Sequence, residues 1–305
     1  MKSDEEDSKQ LVVEIIDQID EAEKIWKELS PNKNIYDRWD FRHCFYKYFN
    51  YPLFFYTARV DGELIGLLPL QWNTEKELLE FFGGVFMEDN SVFIKEGYEN
   101  CIPKLYSAIE KKAKLDDIVG EDEFTQRLDI LENKYVANLE NVGALSDYFS
   151  TRFSSKSRSN IKKKLKLVET LYQPKIVENN LDDLSRLFEL NIKTFGGTSS
   201  FCKPFRKEIF KDLVKLDFNY CIITLIISGK KEAVSLAIKY GETYIYVNAG
   251  VNKEDYPNLG TYLIAKNFEK AISLGSKYFD GGCEDLGWKE RWHLDKIPQR
   301  FFVKE

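Results

Sequence analysis

The stretch Asn219-Tyr-Cys-Ile-Ile-Thr-Leu-Ile-Ile-Ser-Gly-Lys-Lys-Glu-Ala-Val-Ser-Leu-Ala-Ile-Lys239 holds two apolar runs separated by Ser228-Gly229-Lys230. Short runs rich in β-branched residues and joined by a glycine turn predict a β-hairpin. A second turn, Gly241-Glu242, leads into a third strand from Thr243 to Ala249, in which Tyr244 and Tyr246 alternate with Ile245 and Val247. A loop follows, then a helix over 261–274 stopped by Gly275, then a strand over 277–280.

Upstream, a basic helix over 157–171 is ended by Gln173-Pro174, and a short strand over 175–178 precedes helices over 181–194 and 203–216. The first part of the chain has the same order. A strand over 11–16 precedes a helix capped by Asp17, with Ile19, Ala22, Ile25, Trp26 and Leu29 on one face, and an aromatic-rich helix over 38–49. Strands over 53–60 and 63–72 flank the turn Asp61-Gly62, the second of them apolar enough to be covered on both faces. A strand over 77–82, a helix over 98–114, an acidic loop over 116–123 and short strands near 127–131 and 135–139 complete this part, and a last strand is expected near 300–303. Both parts read strand, two helices, three antiparallel strands, helix, strand. Runs of strands with helices inserted, without steady βαβ alternation, give an α+β class with mixed, largely antiparallel sheets flanked by helices. At 305 residues, two domains are expected, 1–145 and 146–305.

Composition removes several functions. With 43% hydrophobic and 14% aromatic residues the chain suits a packed interior rather than disorder. Fifty acidic against 44 basic residues leave a net charge of −6, which gives no general pull towards nucleic acid or anionic lipid. The five cysteines form no C-x-x-C pair, and the two histidines, His43 and His293, lie far apart in sequence, so neither a metal site nor a disulfide framework is expected. The apolar runs 64–70 and 220–227 are far shorter than the roughly 20 residues of a membrane helix. Residues 1–10 are acidic and polar, unlike a signal peptide. A cytoplasmic protein without a membrane partner is the expectation.

Three clusters carry possible chemistry. Asn258-Leu-Gly-Thr261 opens a helix, where Gly260 lets a ligand approach and the first N–H groups favour an anion; a plain turn is the alternative. Arg152-Phe-Ser-Ser-Lys-Ser-Arg-Ser-Asn-Ile-Lys-Lys-Lys-Leu-Lys166 is the one strongly basic stretch, read either as a solvated helix face or as an anchor for phosphates. Aromatic residues of the kind that stack bases are nearly absent from it. Asp280-Gly-Gly-Cys-Glu-Asp-Leu-Gly-Trp-Lys-Glu-Arg-Trp292 leaves a strand end and sets Asp280, Glu284, Asp285 and Lys289 beside two tryptophans, as a ligand loop or as a surface loop pinned by tryptophan packing.

Together these stretches resemble the CelD/BioF-type acyltransferase domain of the GNAT superfamily, a relative of the Fem peptidoglycan-bridge transferases. The carriers are Ser155-Lys-Ser-Arg-Ser-Asn-Ile-Lys-Lys-Lys-Leu165, Leu259-Gly-Thr-Tyr-Leu263 and Phe279-Asp-Gly-Gly-Cys-Glu-Asp-Leu-Gly-Trp-Lys-Glu-Arg-Trp292, similar to a basic helix start, a Gly-led cofactor helix and a "D-x-G … K-x-x-W" ending. The likeness covers about residues 145–303, and the first half looks like the degenerate GNAT-like partner domain. The resemblance implies tandem GNAT-like domains and an acyl-CoA co-substrate, acetyl-CoA or another, with no metal. It places Asn248 and Ala249 beside the pantetheine arm and Gly260, Thr261 and Tyr262 at the pyrophosphate. Where such enzymes carry a longer Gly-rich loop, this chain has Tyr256-Pro257-Asn258.

Amide formation from a thioester needs a nearby neutral amine, an exit for its proton and support for the charged carbonyl oxygen. Asp280 or Glu284 is expected to bind or deprotonate the amine, Lys289 and a backbone N–H of 246–249 to stabilise negative charge, and Tyr244 or Tyr246 to return a proton to the thiolate. Arg158, Asn160 and Trp292 are expected to contact the substrate. The implied activity is N-acylation of a small amine such as an amino sugar or amino acid. Alternatives are a Fem-like transferase using aminoacyl-tRNA, disfavoured by the acidic balance and by the lack of a long helical arm, and a non-catalytic GNAT-fold binding partner. A homo-oligomer stays open.

Overall fold

Along the chain the first elements are β1 (Leu11–Ile16), α1 (Ile19–Leu29), α2 (Trp39–Tyr46), β2 (Leu53–Val60), β3 (Glu63–Asn73), β4 (Leu78–Phe81), β5 (Phe93–Ile94), α3 (Ile102–Ser107), β6 (Ala113–Ile118) and α4 (Glu123–Arg127). There follow β7 (Ile130–Asn138), α5 (Leu145–Arg152), α6 (Ser155–Tyr172), β8 (Lys175–Glu178), α7 (Leu184–Phe195), α8 (Pro204–Leu213), β9 (Asn219–Ile227), β10 (Lys230–Tyr240), β11 (Thr243–Val251), α9 (Leu259–Ser273), β12 (Tyr278–Cys283) and β13 (Asp295–Lys304). This is a computed structural model, and it describes residues 10–284 and 287–305. Two units result: one runs to Asn133 and takes in Pro298–Glu305, and the other is Lys134–Ile297.

In the first unit the strands lie in the order β1-β2-β3-β4-β6-β13, with β5 added to β3. Neighbours are antiparallel except β4 and β6, which run parallel. The expected two-sided burial of the third strand is present, since Leu64 to Gln71 of β3 are all buried. Helix α1 turns Ala22, Ile25, Trp26 and Leu29 inward, and Trp26 meets Trp39, Phe82 and Phe93 with ring centroids 5.8, 5.8 and 4.7 Å away. Its N-cap is Gln18, without a side-chain cap, so Asp17 falls one residue short of the expected role. Buried Arg42 of α2 donates to the carbonyls of Tyr36, Phe82 and Asp89 and to Asn90 Oδ1.

The expected helix over 98–114 is only α3, and the supposed acidic loop begins as strand β6. In Ala113-Lys-Leu-Asp-Asp-Ile118 the buried residues are Ala113, Leu115 and Ile118, and the intervening charges hide the period-two signal. The two short strands near 127–131 and 135–139 are one strand, β7. The basic helix begins earlier than expected, at Ser155, because the Ser154 hydroxyl accepts from Ser157 N–H at 3.2 Å.

The second unit has the order β7-β12-β11-β10-β9-β8. Strands β8 to β12 repeat the topology of β1, β2, β3, β4 and β6: three antiparallel pairings and then a parallel one, here β11 with β12. Helices α5, α6 and α9 cover one core through Tyr148, Phe149, Ile161 and Phe268, which cluster with Phe153, Phe279 and Trp292. No described helix is long and apolar enough to cross a membrane.

Asp117, in β6, has a positive φ of 57° and an Oδ1 that is buried without a hydrogen-bond partner among the described residues. Burial, and then repulsion from Glu132, Glu88, Asp116 and Asp89, push its carboxyl up to about 7. The folded state therefore holds a proton that the unfolded chain releases near its ordinary value. The resulting stabilisation is complete below about pH 4 and is lost as pH rises through about 7. Asp117→Asn, which suits the left-handed backbone, is expected to remove that loss. Denaturant melts of both proteins at pH 5 and pH 8 check it: the variant's midpoint should fall less between the two pH values than the parent's.

Candidate active site

Pairing between β11 and β12 stops early. Three residues pair, ending at Ile245 with Asp280, whereas β11 continues to Val251. On its other side β11 steps register, Tyr246 facing Ala237 and Asn248 facing Leu236, so Val247 bulges. The bulge and the end of pairing coincide, and β11 leaves β12 from that point. Helix α7 serves the departing strand: Asn191 Nδ2 donates to the Ala249 carbonyl at 2.9 Å and to Asn248 Oδ1 at 3.0 Å, and Thr194 Oγ1 donates to the Val251 carbonyl at 3.0 Å. Gly250 permits this approach, because a Cβ there would sit 2.4 Å from the Leu187 carbonyl oxygen.

Strand β11 leads by a short loop into α9. The N-cap, Asn258, has a φ of 68° and makes no side-chain cap. Leu259 N–H bonds to the Tyr256 carbonyl and Tyr262 N–H to the Asn258 carbonyl, at 3.1 and 3.0 Å. Tyr262 therefore has its amide engaged inside the helix. Among the described residues, the amides of Gly260 and Thr261 have no partner, and both residues are half-buried. Packing does not demand the glycine, since a Cβ at Gly260 would meet only Val251 Cγ1, at 3.9 Å. Two such amides at a positive helix end suit a phosphate oxygen.

The end of β12 is tightly bound. Asp280 Oδ2 lies 2.7 Å from Lys134 Nζ, both side chains being 5% exposed, while Asp280 Oδ1 accepts Gly282 N–H at 2.8 Å. Lys289 Nζ donates to the Gly282 carbonyl at 2.9 Å and to the Cys283 carbonyl, and lies 5.3 Å from the Tyr135 ring centroid. Trp292 is buried, stacks on Phe268 at 4.8 Å and accepts the Tyr148 hydroxyl on its carbonyl at 2.8 Å. These three residues hold the loop in place. Glu284 is exposed, with a φ of 57°. Asp285 lies outside the described residues.

The two tyrosines of β11 differ. Tyr244 is fully buried and donates to Asn267 Oδ1 at 2.8 Å, within a network that includes Ser235. Tyr246 is half-buried, stacked on Phe279 at 5.9 Å and edge-on to Trp288 at 5.8 Å. Burial pushes the Tyr246 hydroxyl up from its ordinary value, so it keeps its proton at neutral pH.

A cavity of about 390 Å³ adjoins Thr261, and Ser157, Asn160, Lys164, Trp288, Arg291 and Trp292 are among its lining. Asn160, Thr261 and Trp292 thus share one space. Arg158 instead lines a hollow of about 370 Å³ on the outer side of α6. Sequence reasoning missed Lys134, which sits in the unremarkable run Glu132-Asn-Lys134. It also missed Asn191, whose signal was a polar residue on the otherwise apolar face that carries Leu184, Leu187, Phe188 and Leu190.

Residues 155–290 match the family described as the Acetyltransferase (GNAT) domain. The matched stretch lies within the second unit. The match supports an acyltransferase. In fold, the chain is similar to FemX, with 11% identity and a TM-score of 0.62 over 95% of this chain and 96% of that one. It is similar also to L-PGS from Bacillus licheniformis, with 12% identity and a TM-score of 0.59 over 93% and 91%. A third likeness is to a tandem GNAT protein from the clavulanic acid biosynthesis pathway, with 10% identity and a TM-score of 0.50 over 97% and 98%. At these identities the likeness is one of fold. No curated protein matches the sequence.

The ion pair at the end of β12 has a measurable signature. Asp280→Asn leaves Lys134 buried without its counter-charge, a loss of about 3–5 kcal/mol. The melting temperature of the variant is expected to drop by on the order of 10 °C. Adding K134M to D280N should recover most of that drop in calorimetry, because the stranded charge is then removed.

Proposed function

We propose that the GNAT domain is an acyl-CoA-dependent N-acyltransferase of the CelD/BioF type, acting on a small amine such as an amino sugar or amino acid. The observation that carries this reading is the uncapped start of α9 directly after a strand that has left its parallel neighbour. The first feature suits a diphosphate, and the second opens a slot between strands for a thioester arm. In this reading the N–H groups of Gly260 and Thr261 hold the diphosphate, and backbone groups of Asn248 and Ala249 line the arm and polarise the thioester carbonyl.

The amine nitrogen attacks the carbonyl carbon and the carbon–sulfur bond breaks. The nitrogen's proton passes to Glu284 or to water, and the departing thiolate takes a proton from the Tyr246 hydroxyl. Asp280 and Lys289 are positioning residues that fix the end of β12, and Trp292 forms a wall of the cavity that receives substrate. Asn160 reaches the substrate from α6.

A second reading has aminoacyl-tRNA as donor, in the manner of Fem-like transferases. The likeness to FemX over nearly the full length of both chains favours it. The missing helical arm does not separate the two readings, because 96% of that chain is covered here.

Thermal melting with acetyl-CoA and longer acyl-CoAs decides between the donors. Saturation at 100 times the dissociation constant adds about 2.7 kcal/mol and raises the melting temperature. Gly260→Asp should abolish that shift without lowering the ligand-free melting temperature, because the new side chain has room but meets the phosphate with like charge. A shift that survives G260D sinks the diphosphate assignment, and a shift with aminoacyl-tRNA alone transfers the case to the second reading. Where transfer is observed, Tyr246→Phe is expected to lower kcat roughly a hundredfold with KM nearly unchanged, measured by thiol release.

A further inference from the structure

Helix α6 departs from the charge pattern of its unit. Lys156, Arg158, Lys162, Lys163, Lys164 and Lys166 fall within three turns, and among the described residues none of them is in an ion pair. Several lysines elsewhere in the unit are paired, among them Lys193 with Glu254 at 3.2 Å, Lys266 with Glu269 at 2.9 Å, Lys270 with Glu178 at 2.5 Å and Lys277 with Glu242 at 2.5 Å, whereas α6 gathers these six cations on one helix. Helix α6 buries Ile161 and Val168 and turns its opposite face outward.

On that outer face, positions four apart fall into rows. Arg158, Lys162 and Lys166 make one row beside Ser155 and Ser159, and with Lys163 these six residues line the hollow of about 370 Å³. A neighbouring row runs Lys163, Leu167, Leu171, and its two leucines are 43% and 61% exposed. The apolar exposure continues past the helix at Ile176 and Leu181. A cationic band therefore grades into an apolar one along a single helix of 18 residues.

We propose that this outer face of α6 seats the protein on an anionic phospholipid surface. The cations meet lipid phosphates, with their methylene stems lying along the headgroups, and Leu167 and Leu171 enter the acyl boundary. A nucleic acid would engage only the cations and leave the leucines in water, and residues 155–171 contain no aromatic side chain on which a base could stack. The overall charge of −6 strengthens the orientation, because an anionic surface repels the remainder of the chain while attracting this band. The average charge gives no general pull towards anionic lipid, whereas α6 concentrates cations on one face. No described helix spans a membrane, so the contact is peripheral.

Sedimentation of the full chain with vesicles tests this without reference to acyl transfer. Binding is expected to phosphatidylcholine vesicles containing about one-third phosphatidylglycerol, and at least tenfold more weakly to pure phosphatidylcholine. The triple variant K162E/K163E/K166E should weaken binding by about a hundredfold or more, since each basic residue near such a surface contributes several-fold. The double variant L167S/L171S should weaken it several-fold, with the deficit persisting in raised salt. Both variants should melt like the parent, because the altered side chains lie on the outer face. Absence of binding to the anionic vesicles overturns the proposal, as does unchanged binding by the triple variant. Displacement from vesicles by duplex RNA, with L167S/L171S binding as the parent does, overturns it in favour of a nucleic-acid surface.

Discussion

The parting of β11 from β12 is the constraint around which the second unit is arranged. A parallel pair normally continues as far as both strands last, since every unpaired amide beside it has to find another partner. Here the pairing stops after Ile245 and Asp280, and the structure provides for both sides. On β11, the bulge at Val247 turns the strand, and α7 lends Asn191 and Thr194 to carbonyls that a neighbouring strand would otherwise take. On β12, Asp280 folds the chain back onto Gly282 N–H while Lys134 neutralises it and Lys289 ties down the next carbonyls. The divergence of the two strands is held by a polar framework in which Asn191, Lys134, Asp280 and Lys289 are buried.

That framework changes the meaning of the loop 280–292. Read as a string, it offers acid, base and cation at short spacing and looks like a row of reagents. In three dimensions Asp280, Lys289 and Trp292 are buried and brace the backbone, whereas Glu284 is exposed and Tyr246, Gly260 and Thr261 are half-buried. A motif can identify a site while most of its letters serve to hold the remainder in place.

The sequence made the hairpins legible because turn glycines and β-branched runs are local signals: Asp61-Gly62 and Ser228-Gly229-Lys230 needed no tertiary knowledge. The repeat of strand, two helices, three strands, helix, strand followed from them. Strand β6 escaped because its solvent side carries Lys114 and its later positions Asp116 and Asp117, so the alternation is broken by charge. Helix α9 was visible as a Gly-led helix start, but which amides remain available depends on hydrogen bonds between Leu259 and Tyr256 and between Tyr262 and Asn258. Lys134 was not legible at all, since its role exists only once β7 lies beside β12.

Strand β13 pairs with β6, joining Arg300 to Ile118 and Lys304 to Ala113 across the entire second unit of sequence. Closing so large a loop costs configurational entropy before any contact repays it, and topologies dominated by such distant pairings assemble slowly. The first unit therefore finishes its sheet late, with the flank of β6 unprotected until the far segment arrives. An uncovered strand flank is open to stray strands, so aggregation competes with closure of the sheet during this interval.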